Sequence, residues 1–228
     1  MQLRLFGIAK SERRIAAKRK VTGRAYDQAW DLWSQPTEPE QTMALMFLDI
    51  RNFTPLTGLF KPADVVHLVG KFLSVFQRLV RNHHGRIIET TGDGFYAAFG
   101  FDREIGQAVD DAVRAGTAII RQLAFMNSSY EAVLGRKIEA GIGIHAGEVA
   151  MGKIQLNGAE HMLVMGHAVN IAARLQNATK LLNNNFLVSS AAFGLLTEQP
   201  AESGLARVSL KGLPGELEVR LMGQKYAA

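Results

Sequence analysis

An eight-residue apolar run broken only by an acid restricts the fold of this chain more than any other feature. The run is MALMFLDI, from Met43 to Ile50, and its one charged residue is Asp49. Because the run lacks the alternation of a half-exposed strand, it predicts a buried central strand that ends at an acid. The segment that follows, ADVVHLVGKFLSVFQRLVRN, repeats apolar residues at helical spacing and predicts an amphipathic helix.

The later segments continue this pattern of strands and helices. They predict a hairpin at GRIIETTGDGFYAAFG, a helix over about 105–127, a strand at KIEAGIGIHAGEV, a helix over about 167–182, a short strand at NFLVSS, a further short helix, and a final strand pair at ARVSLKG and GELEVRLMG. The order β-α-β-β-α-β with additional strands predicts an α+β sandwich of the ferredoxin-like kind.

Charge and composition divide the chain at about residue 41. Residues 1–24 hold eight basic residues and one acidic residue, whereas the remainder has a slight acidic excess. Tyr26, Ala29, Trp30 and Trp33 recur at helical spacing, and SQPTEPEQ then reads as a linker. The sequence thus predicts a basic helical segment and linker over 1–41, and a main domain over 42–228.

The basic segment could attract an anionic membrane, nucleic acid or a partner chain. No aromatic residues interleave with its charges, and this favours a solvated surface over nucleic-acid binding. Cysteine is absent, which excludes disulfides and thiolate chemistry. No apolar run has the length of a membrane helix, and the N-terminus lacks the pattern of a signal peptide, so we expect a cytoplasmic location.

Two acids are predicted to meet at one edge of the sheet. Asp49 ends the central strand, and Asp93 lies in the Gly-Asp-Gly turn of the neighbouring hairpin. Two carboxylates at close range repel unless a cation lies between them, and oxygen ligands suit Mg²⁺ or Mn²⁺. Asp-Gly is equally common in purely structural turns, so this pair alone leaves both interpretations open.

A second group of polar residues lies in the second half of the chain. Asn170 and Arg174 are four residues apart on a predicted helix and project from one face among small and apolar residues. Lys211 precedes a turn in SLKGLPGE. An amide, a guanidinium and an ammonium together suit a phosphate transition state, although local capping, a local ion pair and a solvated lysine would also explain them.

Four blocks, FLDIRNFT, ETTGDGFYAAFG, GIGIHAGEV and VMGHAVNIAARLQ, together with the late LKG, resemble the signature blocks of class III nucleotide cyclases. The resemblance extends from about Met43 to Gly223. It implies a catalytic domain that functions as an antiparallel homodimer with active sites across the interface. It also implies attack of a ribose 3′-oxygen on the α-phosphate of a nucleoside triphosphate, giving a 3′,5′-cyclic nucleotide and pyrophosphate, with two Mg²⁺ or Mn²⁺ ions per site.

The resemblance also implies a role for individual residues. The metal ligands are Asp49, Asp93 and the Ile50 carbonyl, and the transition-state residues are Asn170, which orients the ribose, and Arg174, which stabilises charge at the α-phosphate. The triphosphate-binding candidates are Lys211, Phe53 and Thr54. Some members of the family carry an arginine at the position of Gly141, so phosphate binding here is expected to depend more on Lys211, the metals and backbone N–H groups.

Glu89 and Leu163 fall on the two positions with which the family reads the base. A carboxylate accepts hydrogen bonds, and guanine offers N1–H and its 2-amino group as donors, so Glu89 favours GTP. Adenine offers an acceptor at N1, which glutamate repels. Leu163 makes no side-chain hydrogen bond, and this departure leaves ATP, or a pyrimidine nucleotide whose N3–H donates to Glu89, as alternatives.

Two functions of other classes remain open on the sequence alone. One is a non-catalytic domain that senses nucleotides through a retained site. The other is a metal domain of the polymerase-palm type that acts on nucleic acid, although the mildly acidic main domain argues against it. The histidines are not spaced as a zinc site, and His145, within a strand run, is predicted to be a hydrogen-bonded core residue.

Overall fold

The computed structural model describes residues 40–51, 58–156, 158–201 and 203–226. The predicted N-terminal helix and almost all of the linker over 1–41 lie outside the described residues, as do Phe53 and Thr54. Within the described ranges, no helix combines the length and apolarity needed to cross a bilayer.

The described elements follow the predicted order, with additions. They are β1 (Gln41–Arg51), α1 (Pro62–Asn82), β2 (Arg86–Thr91), β3 (Gly94–Phe99), α2 (Ile105–Leu134), β4 (Glu139–Leu156), β5 (Ala159–Met165), α3 (His167–Leu181), β6 (Phe186–Ser189), α4 (Ser190–Phe193), β7 (Gly204–Ser209) and β8 (Glu216–Leu221). The additional strand β5 pairs with the second half of β4 as a hairpin. Helix α2 is longer than the predicted 105–127 and ends at Leu134, where the C-cap residue Gly135, with a left-handed φ of 66°, terminates it.

The sheet has the order β2-β3-β1-β4-β6-β8-β7, with β5 attached to β4. Strand β1 lies between β3 and β4 and is antiparallel to both, whereas β4 and β6 are parallel. The central position predicted for the apolar run is therefore confirmed, and the α+β class with it.

Both faces of β1 are covered, which explains its unbroken apolar sequence. Ala44, Met46 and Leu48 point into the larger core, which α1 and α2 complete. Met43 and Leu45 point to the opposite face, where they pack with residues of α3. Because side chains alternate along a strand, Asp49 and Arg51 lie on the α3 face with the odd-numbered residues.

Helix α3 approaches β4 closely because β4 carries glycines where the two elements cross. A Cβ atom on Gly143 would collide with the backbone nitrogen of Gln176, and one on Gly147 would lie 2.8 Å from the Cβ of Ala168. The absence of side chains therefore lets the backbone of the helix rest on the backbone of the strand.

Strand β2 contains a bulge that decides which face Glu89 occupies. Ile87 pairs with Ala97, but Glu89 pairs with Tyr96, so Ile88 is the extra residue. In a regular register Glu89 would oppose Phe95, which belongs to the core beneath α1 and α2. The bulge instead places Glu89 on the face of the sheet that carries Tyr96 and α3.

We expect Gly143→Ala to lower the free energy of unfolding by about 3 kcal/mol or more, because the new methyl group would force α3 away from β4. Gly152→Ala, on the same strand, is the matched control because no atom lies within 4 Å of its Cβ position. Urea unfolding of both variants measures the difference. Equal stability of the two would show that α3 does not depend on the glycine contact.

Candidate active site

The structure brings Asp49 and Asp93 together at the end of β1. Asp49 lies opposite Gly94 in the β1–β3 register, and the Ile50 N–H donates to the Asp93 carbonyl at 3.3 Å. A Cβ on Gly94 would collide with the Leu48 carbonyl and would lie 3.1 Å from Asp49 Oδ1. Glycine at this position therefore allows the turn that carries Asp93 to close against β1.

Burial and the neighbouring Asp93 carboxyl both disfavour the charged form of Asp49. The pKa of Asp49 is raised from 3.8 to about 6, chiefly by burial and then by repulsion and a hydrogen bond from Asp93, while the positive charge of Arg51 opposes the rise. An arrangement that disfavours two negative charges becomes favourable when a cation neutralises them.

The pair suits a divalent ion of the Mg²⁺ type. No group of three His, Cys, Asp or Glu side chains with metal-binding geometry occurs among the described residues. Mg²⁺ commonly uses only one or two protein carboxylates and takes its remaining ligands from water and substrate phosphates. The two carboxylates therefore suit an ion that a phosphate substrate helps to coordinate, and the Ile50 carbonyl stays a predicted further ligand.

A buried tyrosine, Tyr96, lies opposite Glu89 and bonds to the residue that follows Leu163. Tyr96, opposite Glu89, stacks on Phe47 with ring centroids 4.9 Å apart and donates its hydroxyl proton to the Val164 carbonyl at 2.8 Å. Burial, and then the charge of Glu89, raise the pKa of Tyr96 to about 12. Tyr96 thus connects the exposed Glu89 to the segment that carries the half-buried Leu163.

Asn170, Arg174 and Lys211 form a second group. Asn170 is exposed and Arg174 is half-buried one turn later on α3. A Cβ on Gly212, at a φ of 76°, would lie 3.3 Å from Arg174 Nη2, so the guanidinium rests against the turn that follows the exposed Lys211. Across the described ranges Arg174 has no carboxylate within ion-pair distance, and the local ion pair considered above is absent there.

Two residues near Asp49 were not identified from the sequence. Arg51 lies two positions further along β1, and its guanidinium carbon stands 4.6 Å from the centre of the Tyr226 ring. The strand period could have indicated Arg51, since residues two apart share a face. Tyr226 gave no signal, because its position depends on contacts with residues far away in the chain.

His145 is a core residue, as predicted. It is buried, and its Nδ1 lies 2.8 Å from the Ser189 hydroxyl oxygen. Burial, with a smaller contribution from His167, lowers the pKa of His145 to about 4. Its contact with Ser189 ties β4 to the end of β6.

Asp49→Asn should stabilise the metal-free protein. Because native Asp49 retains its proton up to about pH 6, the free energy of unfolding falls as the pH rises from about 4 to about 6, and the deficit remains above that range. Asparagine carries no charge and removes this deficit. We expect a difference from the wild type near zero at pH 4 that grows to about 1–3 kcal/mol at pH 7.

Urea unfolding in the presence of a chelator, at several pH values, measures this difference. Added Mg²⁺ should then stabilise the wild type more than the variant. A difference that does not change with pH would mean that the pKa of Asp49 is not raised in the folded protein.

Known proteins resemble this chain in sequence. A family model described as the adenylate and guanylate cyclase catalytic domain matches residues 35–223. The chain is 33% identical over 175 residues to an uncharacterized protein of Mycobacterium tuberculosis (strain ATCC 25618 / H37Rv), covering 76% of this chain and 31% of that protein. It is 26% identical over 179 residues to Adenylate cyclase 1 of Rhizobium meliloti (strain 1021), covering 78% of this chain and 27% of that protein.

The chain thus spans less than a third of the length of either curated relative. Among solved structures, the guanylyl cyclase Cya2 superposes with a TM-score of 0.72 at 23% identity, covering 81% of this chain and 93% of that one. This likeness shows the fold.

Proposed function

This chain belongs to the family of adenylate and guanylate cyclase catalytic domains, and we propose that it converts a nucleoside triphosphate, with GTP favoured over ATP, into a 3′,5′-cyclic nucleotide and pyrophosphate. The observation that supports this proposal most directly is the close pair of Asp49 and Asp93, in which burial and then repulsion from Asp93 raise the pKa of Asp49. Such a pair suits divalent cations at a phosphate-transfer site.

Each residue of the site has a separate task. Asp49, Asp93 and the Ile50 carbonyl would hold two Mg²⁺ or Mn²⁺ ions. When bound, such ions neutralise phosphate charge and favour deprotonation of the attacking 3′-hydroxyl. Asn170 orients the ribose so that its 3′-oxygen faces the α-phosphate, because an amide can both donate to and accept from hydroxyl groups.

The cationic residues act on the phosphates. Arg174 donates to the α-phosphate oxygens, whose negative charge grows as the new P–O bond forms and the bond to pyrophosphate breaks. Lys211 holds the triphosphate and then the leaving pyrophosphate. The placement of the Arg174 guanidinium against the turn after Lys211 supports their joint action on one polyanion.

We infer that a complete site requires two copies of the chain. Within the described ranges, no hydrogen bond or ion pair joins the acids at the end of β1 to Asn170 or Arg174 on α3. Asn170 is also exposed, so it is free to meet a substrate bound on another chain. An antiparallel homodimer would bring the acids of one chain to the α3 residues of the other, twice per dimer.

The position of Glu89 supports the preference for GTP. The bulge at Ile88 puts its carboxylate on the face of the sheet that carries Tyr96 and leaves it exposed. A carboxylate accepts from guanine N1–H and the 2-amino group, whereas it would oppose the N1 acceptor of adenine. Leu163 offers no polar group to the other edge of the base, which limits discrimination against ATP.

In a panel of GTP, ATP, CTP and UTP with Mn²⁺, chromatography should identify the 3′,5′-cyclic product, with GTP used best. An opposed pair of acceptors costs about 1–3 kcal/mol, which corresponds to a kcat/KM preference of about 5- to 150-fold over ATP. Because Leu163 is apolar, we expect the lower end of that range. Glu89→Lys should erode the preference and raise the use of ATP.

Glu89→Gln is the control for this experiment, since it keeps one acceptor and should lie between the wild type and Glu89→Lys. A wild type that prefers ATP, or a lysine variant with unchanged base preference, would show that Glu89 does not contact the base. No cyclic product from any of the four nucleotides would instead favour the nucleotide-sensing alternative.

Mixed variants should restore activity if each site is shared between two chains. Asp49→Ala and Arg174→Ala should each be inactive alone, but half of the dimers in an equal mixture would contain one intact site, giving about a quarter of wild-type activity. Cyclic nucleotide formation after denaturation and joint refolding measures the recovery. A mixture of Asp49→Ala with Asp93→Ala is the control and should remain inactive, because both lesions lie in the same half-site. Equal recovery in the two mixtures, or none despite proven mixed dimers, would contradict the shared site.

A further inference from the structure

The C-terminal strap, residues 222–226, is held against the loop that follows α3 by a run of three asparagines. Each of their side-chain oxygens accepts a backbone N–H of the strap. The pairs are Asn184 with Gly223 at 3.1 Å, Asn185 with Gln224 at 2.9 Å and Asn183 with Tyr226 at 3.2 Å. Asn185 also donates its own N–H to the Gln224 carbonyl at 2.9 Å. These directional bonds fix the path of the strap and therefore the position of Tyr226.

Tyr226 fills the space above Gly141, the residue directly opposite Asp49 on β4. A Cβ on Gly141 would lie 2.9 Å from the Tyr226 hydroxyl and 2.6 Å from Thr179 Oγ1. Burial raises the pKa of Tyr226, which keeps the phenol neutral. The glycine on β4 thus makes room for a side chain that arrives from the end of the described chain, beyond the residues matched by the family model.

The ring of Tyr226 supports Arg51. The guanidinium carbon lies 4.6 Å from the ring centre, a distance typical of a cation–π contact. Arg51 Nη1 is buried, and among the residues that the structure describes it has no hydrogen-bond acceptor. A buried N–H without an acceptor is unfavourable, so this group is poised for a partner that the described residues do not supply.

Charge indicates the kind of partner. Arg51 lies two residues from Asp49 on the same face of β1, and its positive charge lowers the pKa of the Asp49 carboxyl. A guanidinium presents several donors in a plane and binds phosphate oxygens in pairs. We propose that Arg51, positioned by the ring of Tyr226, is a binding residue for the polyphosphate of the nucleotide at the Asp49–Asp93 site.

This inference rests on the proposed function, and it adds a second cation to the exposed Lys211. Arg51 would donate to the phosphates beyond the α-phosphate and hold them during transfer and as pyrophosphate. The competing role for Arg51 is purely structural, as a charged group packed on Tyr226 and facing Glu139 across the β1–β4 pair. The two roles predict different effects on anion binding.

Titration calorimetry of inorganic pyrophosphate into the full chain with Mg²⁺ tests the proposal. Arg51→Gln should weaken pyrophosphate binding by about 10- to 100-fold, because it removes hydrogen bonds from a charged donor. Tyr226→Leu, which removes the supporting ring, should weaken it by about 3- to 10-fold. Tyr226→Phe keeps the ring and should bind as the wild type does.

Arg220→Gln is the matched control. The Arg220 guanidinium stacks on the Phe193 ring at 4.8 Å and its Nε is buried without an acceptor in the described residues, so it shares the packing of Arg51. It lies on β8, three strands from β1 in the order of the sheet. Its loss should lower stability while pyrophosphate binding stays at the wild-type level.

Three outcomes would overturn the proposal. Unchanged pyrophosphate binding in Arg51→Gln, with cyclic nucleotide still formed by the wild type, defeats this inference and leaves the proposed function intact. Equal weakening in Arg51→Gln and Arg220→Gln would show a general effect of lost packing. A wild type that neither binds pyrophosphate nor forms cyclic nucleotide defeats both proposals.

If Arg51→Gln does not fold, Arg51→Lys replaces it in the same titration. We expect pyrophosphate binding about 3- to 10-fold weaker than in the wild type, because lysine keeps the charge but lacks the planar guanidinium.

Discussion

The contact between the backbones of α3 and β4 at Gly143 is the constraint on which the rest of the site depends. Because no side chain separates the two elements there, α3 lies directly on the face of the sheet that carries Asp49. The same contact puts Gln176 and Thr179 beside Gly141, where the Tyr226 hydroxyl also lies. A larger residue at Gly143 would move the helix and every group it carries.

The charged groups at the end of β1 are arranged at some cost to stability. Asp49 and Asp93 repel each other, and Arg51 keeps a buried N–H without an acceptor in the described part of the chain. Such strain is common at functional sites, where bound ligands satisfy groups that the fold leaves unsatisfied. Cations between the carboxylates and phosphate oxygens at the guanidinium would each relieve one of these costs. Ligand binding is therefore expected to stabilise the native state.

Much of the fold follows from local sequence patterns. The apolar run of β1, the 3.6-residue period of α1 and the Gly-Asp-Gly turn each specify an element from neighbouring residues alone, and the structure contains all three. The length of α2 and the hairpin of β4 with β5 were not predicted. The end of α2 is set by the left-handed conformation of Gly135, and β5 by its pairing with the extension of β4. Neither is visible in the periodicity of a short window.

The sequence by itself determined which chemical groups are available and on which local elements they lie: acids at a strand end and a tight turn, and an amide and a guanidinium one helical turn apart. Only the tertiary structure decided on which face of the sheet those groups lie and which residues contact them. The extra residue in β2 places Glu89 on the face that carries Tyr96 and not on the core face. Hydrogen bonds from the strap to three asparagines hold Tyr226 over β4, where its ring contacts Arg51. The reason is physical. Periodicity and turn preference arise from residues close in the chain, whereas strand register and the path of the strap depend on contacts between residues that are distant in sequence and meet only when the sheet is complete.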